Sequence, residues 1–186
     1  MSDGTRELQA QILANLSEMR QAPENSSSSD NAQVTCTEIK SALEQFSECV
    51  RYLNTRRSKG AVLTLDSESA VQDTVYLMLR PWVKDLVPEN PTEKNGNRYS
   101  LSDFSSKEAR TMLEVKFIRD KDHGKNISSE LHDDIEMYRH HPDYDNVLFF
   151  IYDPDSQIPD TTALEKTITE SRSYSGIPLY CHVVIR

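Results

Sequence analysis

The run Asn146–Tyr152, NVLFFIY, constrains the fold more than any other stretch of this 186-residue chain. It is rich in aromatic and β-branched side chains and carries no charge, the pattern of a strand buried inside a sheet. Such a strand needs helices over it, and the flanking sequence supplies them. A helix is predicted from Asp66 or Ser67 to Arg80, with Val71, Val75 and Met78 as its apolar stripe and Pro81 as its stop. Glu68 lies on that stripe one turn earlier. A second helix is predicted near 126–140, with Ile127, Leu131, Ile135 and Tyr138 on one face, and a third near 161–172. Extended segments are expected near 82–88, 97–104 and 111–118, with a last strand near 178–185. The order helix, three strands, helix, strand, helix, strand predicts an α/β chain with one central mixed sheet flanked by helices.

Residues 1–60 read differently, as an N-terminal helical extension to a main domain over 61–186. Leu8, Ile12, Leu16 and Met19 recur at helical spacing over 5–21, and Ala22–Gln33, with Pro23 and the run Ser26–Ser29, reads as a linker. A helix over roughly 35–58 places Ile39, Leu43, Phe46, Val50 and Leu53 on one stripe and ends in Arg56, Arg57, Lys59 and Gly60. That stripe is expected to pack on the main domain or on a second copy of the chain.

The net charge of −9 excludes a protein that coats nucleic acid without specificity, yet leaves a nuclease open. Acidic side chains can be metal ligands, and residues 98–125 are locally basic, with seven cations against five acids. Cys36, Cys49 and Cys181 lie far apart and form no CxxC pair, which argues against a disulfide framework or a zinc site. No stretch approaches the ~18 apolar residues of a membrane span, and no secretory leader is read at the start. The expected location is the cytoplasm, away from membranes.

The chemistry concentrates in Thr111–Arg119, TMLEVKFIR. On a strand, Glu114 and Lys116 project from one face while Leu113, Val115 and Phe117 project from the other. A carboxylate and an ammonium inside an apolar strand must be paired, metal-bound or at an edge, because burying either alone costs several kcal/mol. Taken alone, the pair reads as an ion pair on a half-exposed strand. Asp103, near the end of RYSLSDF, could pair across a hairpin and bring its carboxylate beside Glu114. Two carboxylates and a backbone carbonyl make a hard oxygen site that suits Mg2+ or Mn2+. A nearby lysine can orient an attacking water and balance charge on phosphorus. Glu68 could bring a third acid to the same pocket.

With Asp103 followed by Glu114, Val115 and Lys116 in this order of elements, the chain resembles the PD-(D/E)XK nuclease superfamily, the restriction-endonuclease-like fold. Ser102 stands where the name-giving Pro would be. Over nearly all of 67–186 it is similar to the MboI-type restriction-endonuclease domain of stand-alone bacterial proteins, through ESAVQDTVYLMLRPWVKDLVPENP, RYSLSDF, MLEVKFIR and ALEKTI. The run from Asp134, Ile135 and Tyr138 through His141, Pro142 and Asp143 to Phe150, Tyr152, Asp153 and Pro154 carries most of that specificity.

The resemblance implies that Asp103 and Glu114 ligate the metal, with Val115 offering its carbonyl. It implies Lys116 as the catalytic lysine and Glu68 as the acid of the first helix, with Gln72, Asp73 and Glu130 shaping the pocket. Arg98, Arg119, Lys121 and Lys125 are the expected nucleic-acid contacts. Ala70 stands where an Asp is usual and Glu130 where a Gln is expected; Glu130 could add a negative charge near the metal or pair with Lys116, and Glu130 and Asp134, one turn apart, could both face the pocket. His123, beside Gly124 and Lys125, is read in a loop where it could contact DNA, and His140, His141 and Tyr152–Pro154 are read as structural. The implied activity is that of a magnesium-dependent endonuclease acting on DNA, in restriction or phage defence, as a homodimer, alone or with defence-system partner proteins. The competing readings are a silent or partner-gated nucleic-acid-binding module and an RNA-directed nuclease.

Overall fold

The computed structural model describes residues 33–56, 63–91, 101–139, 141–169, 173–174 and 177–186. The helix expected over 5–21, most of the linker, Arg57–Gly60, Arg98 and His140 lie outside them. Residues 34–186 form one compact unit. Its helices are α1 (Cys36–Leu43), α2 (Phe46–Thr55), α3 (Glu68–Leu79), α4 (Lys121–Tyr138) and α5 (Thr161–Thr169). Its strands are β1 (Val87–Pro91), β2 (Leu101–Ser106), β3 (Thr111–Phe117), β4 (Asn146–Tyr152), β5 (Ser173–Tyr174), β6 (Ile177–Pro178) and β7 (Tyr180–Ile185).

Five strands make one sheet in the order β1-β2-β3-β4-β7. The hairpin pairs β1–β2 and β2–β3 are antiparallel, whereas β3–β4 and β4–β7 are parallel. The parallel pairs require crossovers, and the chain makes them through α4 and α5. The NVLFFIY strand sits inside the sheet, with Val147–Ile151 buried. Leu148 and Phe150 face the α1–α3 layer, packing with Leu43, Phe46, Val71 and Val75. Val147, Phe149 and Ile151 face the α4–α5 layer, packing with Ile127, Leu131, Tyr138 and Ile168. The mixed sheet between two helical layers is the architecture the sequence pattern predicts.

Three elements differ from expectation for local reasons. The helix expected over 35–58 is two helices, broken at Glu44–Gln45, and the Glu44 carbonyl freed there accepts from Arg186 Nε at 2.9 Å. The first strand begins at Val87 instead of residue 82. Trp82 and Val83 both donate their amides to the Leu79 carbonyl, so the chain winds on past Pro81 before it extends. Helix α4 begins at Lys121, five residues before the expected start, because Asp120 caps it by accepting the His123 amide at 2.8 Å. Gly124, which reads as a loop signal, is instead buried within the helix. A Cβ there would lie 2.5 Å from the Gln157 carbonyl oxygen, so the close approach of the 153–160 loop demands glycine. Both Asp153 oxygens hold that loop, accepting the Gln157 and Ile158 amides at 2.8 and 2.9 Å. Tyr152–Pro154 is therefore a turn, as expected.

Candidate active site

The site forms where β2 and β3 stop pairing through their backbones. Their ladder runs from Ser106↔Thr111 to Phe104↔Leu113. Beyond it the Asp103 carboxylate takes the Val115 amide at 2.7 Å, and its other oxygen accepts from Gln72 Nε2 of α3 at 2.8 Å. Strand alternation sends Leu113 and Val115 into the α1–α3 layer, and Glu114 and Lys116 toward α4. There Glu114 Oε1 accepts from Lys116 Nζ at 2.9 Å, and Oε2 accepts from the Tyr138 hydroxyl at 2.9 Å. Lys116 Nζ also lies 3.0 Å from Asp134 Oδ2. Glu114, Lys116 and Asp134 are each little more than a tenth exposed. The ion pair is thus a buried triad with two carboxylates sharing one ammonium. Glu68 approaches from α3, where it accepts the Phe117 amide at 3.2 Å.

Asp134 does face the pocket, and Tyr138 is the partner that strand logic does not supply. They lie one helical turn apart on α4, and the signal for them was the same i, i+4 spacing that marks its apolar face. Of the two roles open to Glu130, the pairing with Lys116 does not form; Glu130 lies 3.4 Å from His123 Nε2.

Two buried carboxylates share one ammonium here, with the half-buried Asp103 alongside, and their proton affinities reflect it. Burial raises Asp103, against the pull of the Val115 amide and Gln72, and the nearby Glu68 adds to the rise. Burial likewise raises Glu114, and the charge of Asp103 adds to it. Asp134 is pushed up to about 6 by burial and by Glu114, with Lys116 opposing. Burial pulls the Lys116 ammonium down, but Glu114 and Asp134 outweigh it and hold it above the ordinary lysine value.

A carboxyl whose folded pKa is raised binds protons more tightly folded than unfolded. Its stabilisation is present below the unfolded value of 3.8 and is lost as pH rises through about 6. Metal-free protein should therefore lose up to about 3 kcal/mol from Asp134 between pH 4 and pH 7. The check is denaturant unfolding across that range, in which Asp134→Asn flattens the profile relative to wild type. A difference between the two that does not change with pH would contradict the assignment.

The donor set fits a hard divalent cation. Asp103 and Glu114 are oxygen donors, each oxygen holds one hydrogen bond and keeps a lone pair, and their mutual repulsion is what a cation would relieve. Val115, the expected carbonyl ligand, is the residue whose amide binds Asp103. Among the described residues no group of three or more His, Cys, Asp or Glu side chains is arranged to hold a metal. The expected set, with two carboxylates and a main-chain oxygen, does not need one.

Beside the triad lies a cleft of about 350 Å3. Asp66, Ser67 and Glu68 at the start of α3 form one wall, and Lys116, Phe117, Arg119, His123 and Glu130 form the other. Gln72 reaches the site through Asp103, whereas Asp73 stays on the exposed side of α3. Lys121 and Lys125 are exposed on the first turns of α4, with Lys125 paired to Asp122 at 3.2 Å. His141 accepts the Asp143 amide and its ring packs 4.6 Å from Tyr144, which makes it structural. No helix among the described residues is long and apolar enough to cross a membrane.

Residues 37–182 match the protein-family model described as REase_DpnII-MboI. No curated protein and no solved structure matches significantly.

Proposed function

We propose that this chain, which belongs to the DpnII-MboI restriction endonuclease family, cuts DNA with a divalent cation, Mg2+ or Mn2+, held by Asp103 and Glu114. The family makes it a nuclease of restriction type, a hydrolase acting on DNA. The observation that carries the finer reading is the buried triad: one lysine between Glu114 and Asp134, with Asp103 at the adjoining strand end and an open cleft alongside. Structural ion pairs seldom bury two carboxylates against one cation, because the desolvation cost is not repaid.

The residues divide the work. Lys116 stays protonated and hydrogen-bonded, so its ammonium can orient the attacking water and offset charge on phosphorus. Tyr138 and Gln72 each occupy one oxygen of a metal-binding carboxylate and so fix its direction. When bound, the cation supplies Lewis-acid stabilisation and lowers the pKa of its water. Glu68 borders the cleft and completes the acidic rim. Cutting both strands requires two such sites, and we assign a homodimer on that ground. Phage defence in the bacterial cytoplasm, alone or with partner proteins, is the setting we assign to it.

Plasmid cleavage tests the reading. Purified protein should nick or linearise supercoiled DNA with Mg2+ or Mn2+ and stop in EDTA, and Asp103→Asn should lose the metal-dependent activity. Cleavage that survives EDTA, or Asp103→Asn cutting at the wild-type rate, would contradict the metal assignment. DNA binding without cleavage under every metal would instead favour the silent binding module, and cutting confined to RNA would favour the RNA-directed alternative.

A further inference from the structure

Arg119 follows β3 by two residues, lies exposed and lines the cleft beside Lys116. Lys107, Arg110, Lys125 and Arg139 each hold a carboxylate, but none among the described residues pairs with Arg119. What holds it is His123. The Arg119 main-chain amide and its Nε both donate to His123 Nδ1, at 3.4 and 3.5 Å. A ring nitrogen that accepts carries no proton, so the imidazole proton sits on Nε2. That nitrogen is buried without a hydrogen bond of good geometry, 3.4 Å from Glu130 Oε2, in a side chain only 7% exposed. The imidazole is thus buried between a guanidinium and a carboxylate in the first turn of α4.

We propose that His123, anchored by Glu130, positions Arg119 to grip a phosphate of the DNA strand in the cleft next to Lys116. The inference rests on the nuclease reading and adds a positioning residue to it. Accepting from Nε fixes the plane of the guanidinium while leaving both terminal amino groups free for a bidentate grip on a phosphate. An arginine restrained before binding loses less rotamer freedom on binding, so the imidazole contributes to affinity without touching the substrate.

The test measures binding of a fluorescent duplex in EDTA across salt, and cleavage kinetics in Mg2+. Arg119→Ala and His123→Ala should each weaken binding about tenfold and reduce the slope of log affinity against log salt by about one. KM should rise with kcat within about twofold, and the double variant should be no weaker than Arg119→Ala alone. His123→Asn places an amide oxygen near the Nδ1 position and should restore binding, whereas His123→Gln places its amide near Nε2 and should not. If His123→Ala does not fold, the Asn and Gln variants decide. Equal behaviour of those two, an additive double variant, or a kcat loss at constant KM would overturn the positioning role. A wild type that cuts DNA while Arg119→Ala and His123→Ala bind as tightly overturns this inference alone. A wild type that neither binds nor cuts DNA overturns the nuclease reading with it.

Discussion

Lys116→Ala is expected to reduce metal-dependent DNA cleavage by about 10²–10³-fold, the usual loss when a charge aimed at the transition state is removed. It should also destabilise the protein by about 3–5 kcal/mol at neutral pH, because Glu114 and Asp134 are left buried without a counterion. The two effects separate on a second substitution. Adding Asp134→Asn to Lys116→Ala removes one of the stranded charges and should recover part of the stability but none of the cleavage. Since burial already raises Asp134 to about 6, the Lys116→Ala penalty should shrink toward pH 5, where protonation neutralises that carboxylate. Unfolding curves at pH 5 and pH 8, beside plasmid cleavage by each variant, measure both. A single variant that keeps its cleavage would remove Lys116 from the chemistry. A double variant that regains both properties would show that the single variant's inactivity came from unfolding.

The parts of this arrangement that were legible in the sequence are those governed by one element's own period. Alternation along β3 placed Glu114 and Lys116 on the face away from Leu113 and Val115, and the apolar run marked β4 as an inner strand. Asp103 was found because a hairpin returns it to the same strand end. What was not legible depends on how elements meet. Glu68 reads as a third acid for the pocket, yet its carboxylate also accepts the Phe117 amide at the C-terminal end of β3. Gly124 reads as a loop because its need for a missing side chain arises from Gln157, thirty-three residues away in sequence. The Arg119–His123–Glu130 chain was hidden for the same reason. His123 takes its place only once Asp120 starts the helix early, and local composition with lysines and a glycine argued for a loop.

Phe46→Ala is expected to cost about 3–5 kcal/mol, near the upper end for a core truncation, and to lower Tm by roughly 10 °C in a unit of this size. The ring is fully buried at the start of α2, with its centroid 4.7 Å from Phe150 and 5.5 Å from Tyr152 of β4. Removing it opens a cavity directly over the strand that parallels β3, where Val115 pairs with Phe150 and Lys116 with Ile151. The helical segment before residue 60 therefore supports the sheet that carries the site. Tyr52, in the same helix but 64% exposed, is the internal comparison, and its replacement by alanine should change stability by less than about 0.5 kcal/mol. Similar small losses from both would mean that α2 is dispensable to the core. A large loss from Phe46 alone would show that the stripe of Ile39, Leu43 and Phe46 is part of what holds Glu114 and Lys116 in register.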